Sequence, residues 1–204
     1  MNHYQDITLL PDAEANLGFL WEKVYQQFHL ALAENKNSAG KSGVGISFPQ
    51  YQKESFPLGS KLRLFAKTVA ELEQLNTQKW LNRLTDYTHS TSIRGVPTTV
   101  TQFAIFKRRQ FDTNPHRLAK RRSMRKGESI EQALKHYSGF NDRETKLPYI
   151  NMVSLSSEQS SCKSRHRFKL FIEQEIVFEF SAGEFNCYGL SSREQAKKST
   201  VPWF

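Results

Sequence analysis

YQDITLL (residues 4–10) and NLGFLWEKVYQQFHLALAE (residues 16–34) decide the fold. In the first, Ile7 and Leu9 alternate with polar neighbours, the period of a half-buried strand. In the second, Leu17, Leu20, Val24, Phe28 and Ala31 recur at helical spacing, so the stretch reads as an amphipathic helix. The polar run ENKNSAGKSG (residues 34–43) is a loop. Strands are expected over residues 44–48 and 61–66. Thr68, with Glu71 three residues later, makes a capping box that opens a second helix. Leu72, Leu75, Trp80 and Leu84 continue its apolar side, with a break near Thr77. A last strand over residues 100–107 completes β-α-β-β-α-β, the ferredoxin-like order, a platform shared by RNA-binding proteins and many unrelated ones. The chain is therefore expected to be α+β. Residues 1–109 form the ferredoxin-like domain, and residues 110–204 form a C-terminal α+β region with an arginine-rich helix and a small antiparallel sheet.

The run KRRQFDTNPHRLAKRRSMRK (residues 107–126) joins the two parts. It holds nine Lys or Arg against the single acid Asp112, so eight of the chain's nine net positive charges lie within it. Charge this concentrated is a footprint for phosphates. Asn114 as N-cap and Pro115 at the first helical position start a helix over about residues 114–126. Arg117, Arg121 and Arg125 recur at intervals of four along one stripe, with Lys120 beside it. A solvated helix face or a basic disordered arm is the alternative; Leu118, Met124 and the Asn-Pro start favour an ordered helix. Further on, Ser129 with Gln132 caps a short helix. Residues 157–165 read as a mobile Ser-rich loop. Residues 167–172 and 176–180 alternate as two strands around a Glu-Gln-Glu turn, and residues 185–190 are a candidate third strand.

With 38% apolar residues and 15 Phe, the 204-residue chain has material for a large core. No apolar run approaches the roughly 18 residues that span a bilayer, and the N-terminus has no secretory pattern. Two cysteines, Cys162 and Cys187, form neither a CxxC pair nor a zinc signature, which makes a reducing cytoplasm the expected location. No carboxylate or histidine cluster has metal-ligand spacing, and AGKS at residues 39–42 lacks the first glycine of a phosphate-binding loop. No metal and no cofactor are expected. RNA can nevertheless be cut through its own 2′-hydroxyl, given a base near neutral pKa, and histidine suits that role. Of His3, His29, His89, His116, His136 and His166, His29 stands out, because it sits off the apolar stripe of a firmly anchored helix. On the residues alone, a structural or solvated side chain remains the ordinary reading of each.

Local signatures spread from end to end change that weighting. They are His3-Tyr4 with Asp6-Ile7, His29 followed by Leu30-Ala31-Leu32, and Gly45-Ile46-Ser47-Phe48-Pro49. Asn114-Pro115 before the arginine helix, Leu147-Pro148, residues 168–172, FNCYGLS at residues 185–191 and the final Val201-Pro202-Trp203-Phe204 complete the set. In this combination and order the chain resembles the CRISPR repeat-processing endoribonucleases of the type I-F (Csy) subtype. The resemblance implies binding of the repeat RNA hairpin, one metal-independent cut at the 3′ base of its stem, and products ending in a cyclic phosphate and a 5′-hydroxyl. It also implies retention of the product and partnership with other subunits of the type I-F surveillance complex. By resemblance, His29 is the general base, Ser154 holds the attacking ribose (Ser156 being the alternative), and Tyr188 supports the histidine. Arg108 and Gln110 would read base pairs low in the stem, side chains suited to guanine and adenine. Phe168 would stack on the end of the stem, although alternation alone equally suits a core position. Arg117, Lys120, Arg121, Arg122 and Arg125 would line the helix along the RNA, the positions after Arg121 fitting either of two registers. Two readings of other classes stand beside this one: a non-catalytic RNA-hairpin-binding protein, and a DNA-binding regulator using the same helix in a major groove.

Overall fold

The structure, a computed structural model, describes residues 1–110, 115–138, 146–154, 167–192 and 198–204, the side chains of Pro115 and Arg117 excepted. Elements run in the order β1 (His3–Leu9), α1 (Leu17–Glu34), β2 (Gly45–Ser47), β3 (Lys61–Ala66), α2 (Val69–Leu75) and α3 (Thr77–Leu81). Then come β4 (Thr88–Ser90), β5 (Arg94–Gly95), β6 (Gln102–Arg109), α4 (Pro115–Lys126), α5 (Ile130–His136), β7 (Tyr149–Val153), β8 (Arg167–Val177) and β9 (Val201–Trp203). The chain is α+β, as its patterning implies. It divides into two compact units, Met1–Arg109 with Pro148–Phe204, and Gln110–Leu147. Residues 148–204, which the patterning groups with the basic helix, cluster with residues 1–109.

Local chemistry explains most element ends. Asn16 Oδ1 accepts from the Phe19 amide and starts α1. The helix then buries Leu20, Trp21, Val24, Tyr25, Phe28, Ala31 and Leu32. Thr68 and Glu71 form the expected capping box of α2. Asn76, in the left-handed region at φ 49°, ends α2 and caps α3 through Lys79. This is the break anticipated near Thr77.

The first sheet has the antiparallel order β2-β3-β1-β4, with β5 also on β1, which is the ferredoxin-like strand order. Its fourth strand is the short, polar β4. The strand expected over residues 100–107 exists as β6, but it lies in a second antiparallel sheet of order β7-β8-β6-β9. Two further expectations need correction. Glu173-Gln174-Glu175 is no turn: β8 runs straight through it, opposite Lys107, Phe106 and Ile105. The reason is cross-strand charge. Lys107 Nζ lies 3.4 Å from Glu173 and 2.9 Å from Glu175, and Arg109 Nε lies 3.0 Å from Glu173. Residues 185–190 form a tight turn instead of a strand, with Phe185 bridging to Ser42 and Ser191. The 157–165 loop lies outside the described residues.

One core serves both sheets of the larger unit. Phe48 packs on Trp21, Tyr25 and Phe106, and Phe106 in turn meets Tyr51 and Trp203. The buried Arg63 of β3 donates to Asp6 through Nε and Nη2 (2.6 and 3.0 Å) and through Nη1 to the Phe204 carbonyl (2.9 Å). Its guanidinium lies against both the Tyr4 and the Phe204 rings. This joins the first sheet to the residue that follows β9.

Candidate active site and nucleic-acid interface

The polar side of α1 faces three separate segments. Glu22, Gln26 and His29 follow one another at spacings of four and three, which stacks them on one stripe. Glu22 pairs with Arg167 at the start of β8 (3.3 Å). Gln26 Oε1 accepts from the Val153 amide at the end of β7 (3.1 Å). The Nδ1 of His29 lies 2.9 Å from the Cys187 carbonyl oxygen. A carbonyl can only accept, so Nδ1 carries the proton, and the neutral ring keeps its lone pair on Nε2.

The turn that supplies this carbonyl is built by Asn186 and Gly189. Asn186 Oδ1 accepts from the amides of Tyr188 (2.8 Å) and Leu190 (3.2 Å), and its own carbonyl accepts from Gly189 (2.9 Å). Gly189 has φ 69°, and a Cβ there would fall 2.5 Å from Ile46 Cγ1, so any side chain would be both strained and crowded. Beneath the turn, the buried Tyr25, one helical turn before His29, donates to the Tyr188 carbonyl at 2.8 Å.

The Tyr188 ring lies flat on the His29 imidazole, with centroids 4.3 Å apart and planes 5° from parallel. Burial pushes its phenol pKa up, and the Arg108 guanidinium opposes this only in part. Arg108 itself sits 5.6 Å from the Tyr188 ring centre and 5.0 Å from that of Phe168. His29, Tyr188, Arg108 and Phe168 thus form one continuous row of imidazole, phenol, guanidinium and phenyl. Strand alternation makes this possible: Lys107 and Arg109 point toward the β8 glutamates, and Arg108 points the other way. Phe168 is half-buried and packs against the edge of the core. Burial also raises the Cys187 thiol pKa.

Ser154 is half-buried and immediately follows β7, so the Gln26–Val153 hydrogen bond fixes the backbone one residue before it. Ser156 lies outside the described residues, as does Asn114. Gln110 is exposed.

In the smaller unit, α4 carries exposed Lys120, Arg121 and Arg125. Arg122 is bound differently, since its Nε pairs with Glu128 at the start of the turn into α5. The helix ends where Gly127, at φ 68°, donates to the Ser123 carbonyl. Among the described residues, no three His, Cys, Asp or Glu side chains are grouped to hold a metal ion, and no helix is long and apolar enough to cross a membrane.

Two contacts of this candidate site were missed by the patterning. The Cys187 carbonyl is a backbone group with no side-chain signature. Gln26 has one signal, its place three residues before His29 on the polar side of an apolar-faced helix.

The sheet and the oriented imidazole fix no activity by themselves; comparison with known proteins places the chain in the class of CRISPR-associated endonucleases. The family described as "CRISPR-associated protein (Cas_Csy4)" matches residues 4–204, and the chain belongs to that family. Over the full length of both chains it is 34% identical to the CRISPR-associated endonuclease Cas6/Csy4 of Escherichia coli (strain UTI89 / UPEC). It is 32% identical, again over both full lengths, to the protein of the same name from Pseudomonas aeruginosa (strain UCBPP-PA14). A solved structure described as "Characterization of a Cas6-related gene from Pyrococcus furiosus" aligns over 99% of this chain and 98% of that one. Its 10% identity and TM-score of 0.32 are too slight to bear on the fold.

Proposed function

We propose that this chain is a metal-independent endoribonuclease that cuts CRISPR repeat hairpins in precursor RNA at the 3′ base of the stem and stays on the guide RNA it releases. The observation that carries the reading is the hydrogen bond from His29 Nδ1 to the Cys187 carbonyl, which leaves Nε2 as the basic atom of a ring held flat by Tyr188. In the proposed reaction Nε2 takes the proton of the ribose 2′-hydroxyl. The 2′-oxygen attacks the adjacent phosphorus, the bond from phosphorus to the 5′-oxygen breaks, and that oxygen leaves as a hydroxyl after gaining a proton. The upstream fragment ends in a 2′,3′-cyclic phosphate. A base positioned in this way accounts for roughly 10²–10⁴ of a rate enhancement.

Ser154 holds the ribose in line, Phe168 stacks on the stem end, and Arg108 and Gln110 read base edges. Arg117, Lys120, Arg121 and Arg125 contact the stem backbone from α4, with Arg122 bracing that helix through Glu128. A-form RNA has a deep, narrow major groove, but a short hairpin leaves its end accessible to a helix. The bound product is the element through which other subunits of a surveillance complex would join.

The test is cleavage of the repeat RNA in EDTA. Cleavage to a cyclic phosphate is expected, and His29→Ala is expected to bind the RNA and leave it whole. Intact RNA under saturating wild-type protein would refute the enzyme reading, and cleavage by His29→Ala would remove the histidine from the role of base.

A further inference from the structure

The stripe on α1 holds more than the histidine. Its two other members, Glu22 and Gln26, bind a directly opposed pair of residues on neighbouring strands: Arg167 of β8 and Val153 of β7. The next residue after Val153 is Ser154, and the next after Arg167 is Phe168. One helix therefore holds the Val153 backbone beside Ser154 and the Arg167 side chain beside Phe168, while presenting the proposed base from the same face. Exposure distinguishes the two anchors. Arg167 is largely exposed, so its ion pair with Glu22 is a weak tether. The Gln26 amide is half-buried and accepts a backbone hydrogen bond at the strand end. Among the described residues, its buried Nε2 has no hydrogen-bond partner. Among the described residues the amide is thus committed through its oxygen alone, and a group with an acceptor and no donor loses no hydrogen bond that they supply.

We infer that Gln26 is a positioning residue for cleavage: by holding the Val153 amide it sets Ser154, and through it the ribose, at the correct distance from His29. This rests on the roles proposed above for His29 and Ser154. Misplacing a reacting group by about 1 Å can cost as much as roughly 100-fold in rate.

The test is single-turnover cleavage of repeat RNA by saturating protein, with affinity measured on RNA carrying a 2′-deoxy ribose at the cut site, and with thermal midpoints recorded. Gln26→Met, similar in length but without an acceptor, is expected to cut roughly 10- to 100-fold more slowly while binding the deoxy RNA as the wild type does. Gln26→Glu, which retains the acceptor, is expected to cut faster than Gln26→Met, and it also serves as the informative variant if Gln26→Met does not fold. Added to Ser154→Ala, Gln26→Met should slow cleavage no further, because both act through one ribose contact. Wild-type cutting by Gln26→Met, equal slowness of the Glu and Met variants, or a multiplicative double mutant would each overturn the inference. His29→Ala and Ser154→Ala run alongside. If His29→Ala stops cleavage and Ser154→Ala slows it while Gln26→Met does neither, only the positioning role falls; if His29→Ala still cuts, or Ser154→Ala cuts at the wild-type rate, the underlying site reading has failed instead.

Discussion

Tyr188 separates two ways in which an aromatic residue can support a histidine. Its ring covers the imidazole of His29 at 4.3 Å, whereas its hydroxyl, at the edge of that ring, interacts with Arg108. Burial raises the phenol pKa, so the group is neutral wherever a histidine base operates, and charge on the hydroxyl has no part in the chemistry. Support by stacking needs the ring alone. Tyr188→Phe is therefore expected to keep cleavage within about threefold of the wild type, whereas Tyr188→Ala frees the imidazole to rotate and loses roughly 10- to 100-fold. Single-turnover rates at saturating protein measure both. If the Phe variant is as slow as the Ala variant, the hydroxyl and its link to Arg108 matter more than the stack.

At the level of the element, α4 separates cations that are free to meet a phosphate from one that is already engaged. Lys120, Arg121 and Arg125 are exposed, whereas Arg122 is bound to Glu128 and braces the turn into α5. Replacing Arg121 or Arg125 by Ala should flatten the dependence of RNA affinity on salt by about one unit of slope each. Arg122→Ala should leave that slope nearly unchanged and lower the thermal midpoint instead. Affinities over a salt series decide it, and an Arg122→Ala slope reduced as much as that of Arg121→Ala would show that the Glu128 pair gives way to the RNA. The same elements show what the chain made legible. Caps are local chemistry, so Thr68 with Glu71, Ser129 with Gln132 and the interruption beside Thr77 could be read directly. Strand identity is not local. Thr88–Ser90 has no apolar alternation, and it is a strand because Ile7, Thr8 and Leu9 pair with it. Glu173 and Glu175 have the composition of a turn and stay extended because cations on β6 lie opposite. His29 was legible as a candidate by its place on α1, but the Cys187 carbonyl that fixes its tautomer lies 158 residues away and is backbone.

Across the whole molecule, several weakly acidic groups are buried or half-buried in their neutral form, and together they set how the fold responds to alkali. Tyr51 donates to the Ile172 carbonyl at 2.8 Å, and burial pushes its hydroxyl up to about 12 from an ordinary 10.0. Tyr25 and Tyr188 are shifted in the same direction by burial, and the Cys187 thiol also rises. Lys107 follows through its hydrogen bond to Glu175. Each of these groups has a folded pKa above its unfolded one. The unfolded chain therefore releases its protons first as pH rises, and the folded chain still holds them. The stability they contribute is complete below the unfolded pKa of each group and drains away as pH climbs toward the folded one. Each tyrosine removes at most about 1.4 kcal/mol per pH unit within that window. Urea midpoints should therefore hold steady from pH 7 to about 8.5, begin to fall as the thiol enters its range, and fall steeply above 10, where the tyrosines join it. Tyr51→Phe isolates one contribution. It should be less stable than the wild type by about 1 kcal/mol at pH 8, from the lost hydrogen bond, and its decline between pH 10 and 12 should be shallower by one proton. Parallel curves for the two proteins above pH 10 would mean that Tyr51 ionises alike in both states, and that its hydroxyl is not held in the core by Ile172.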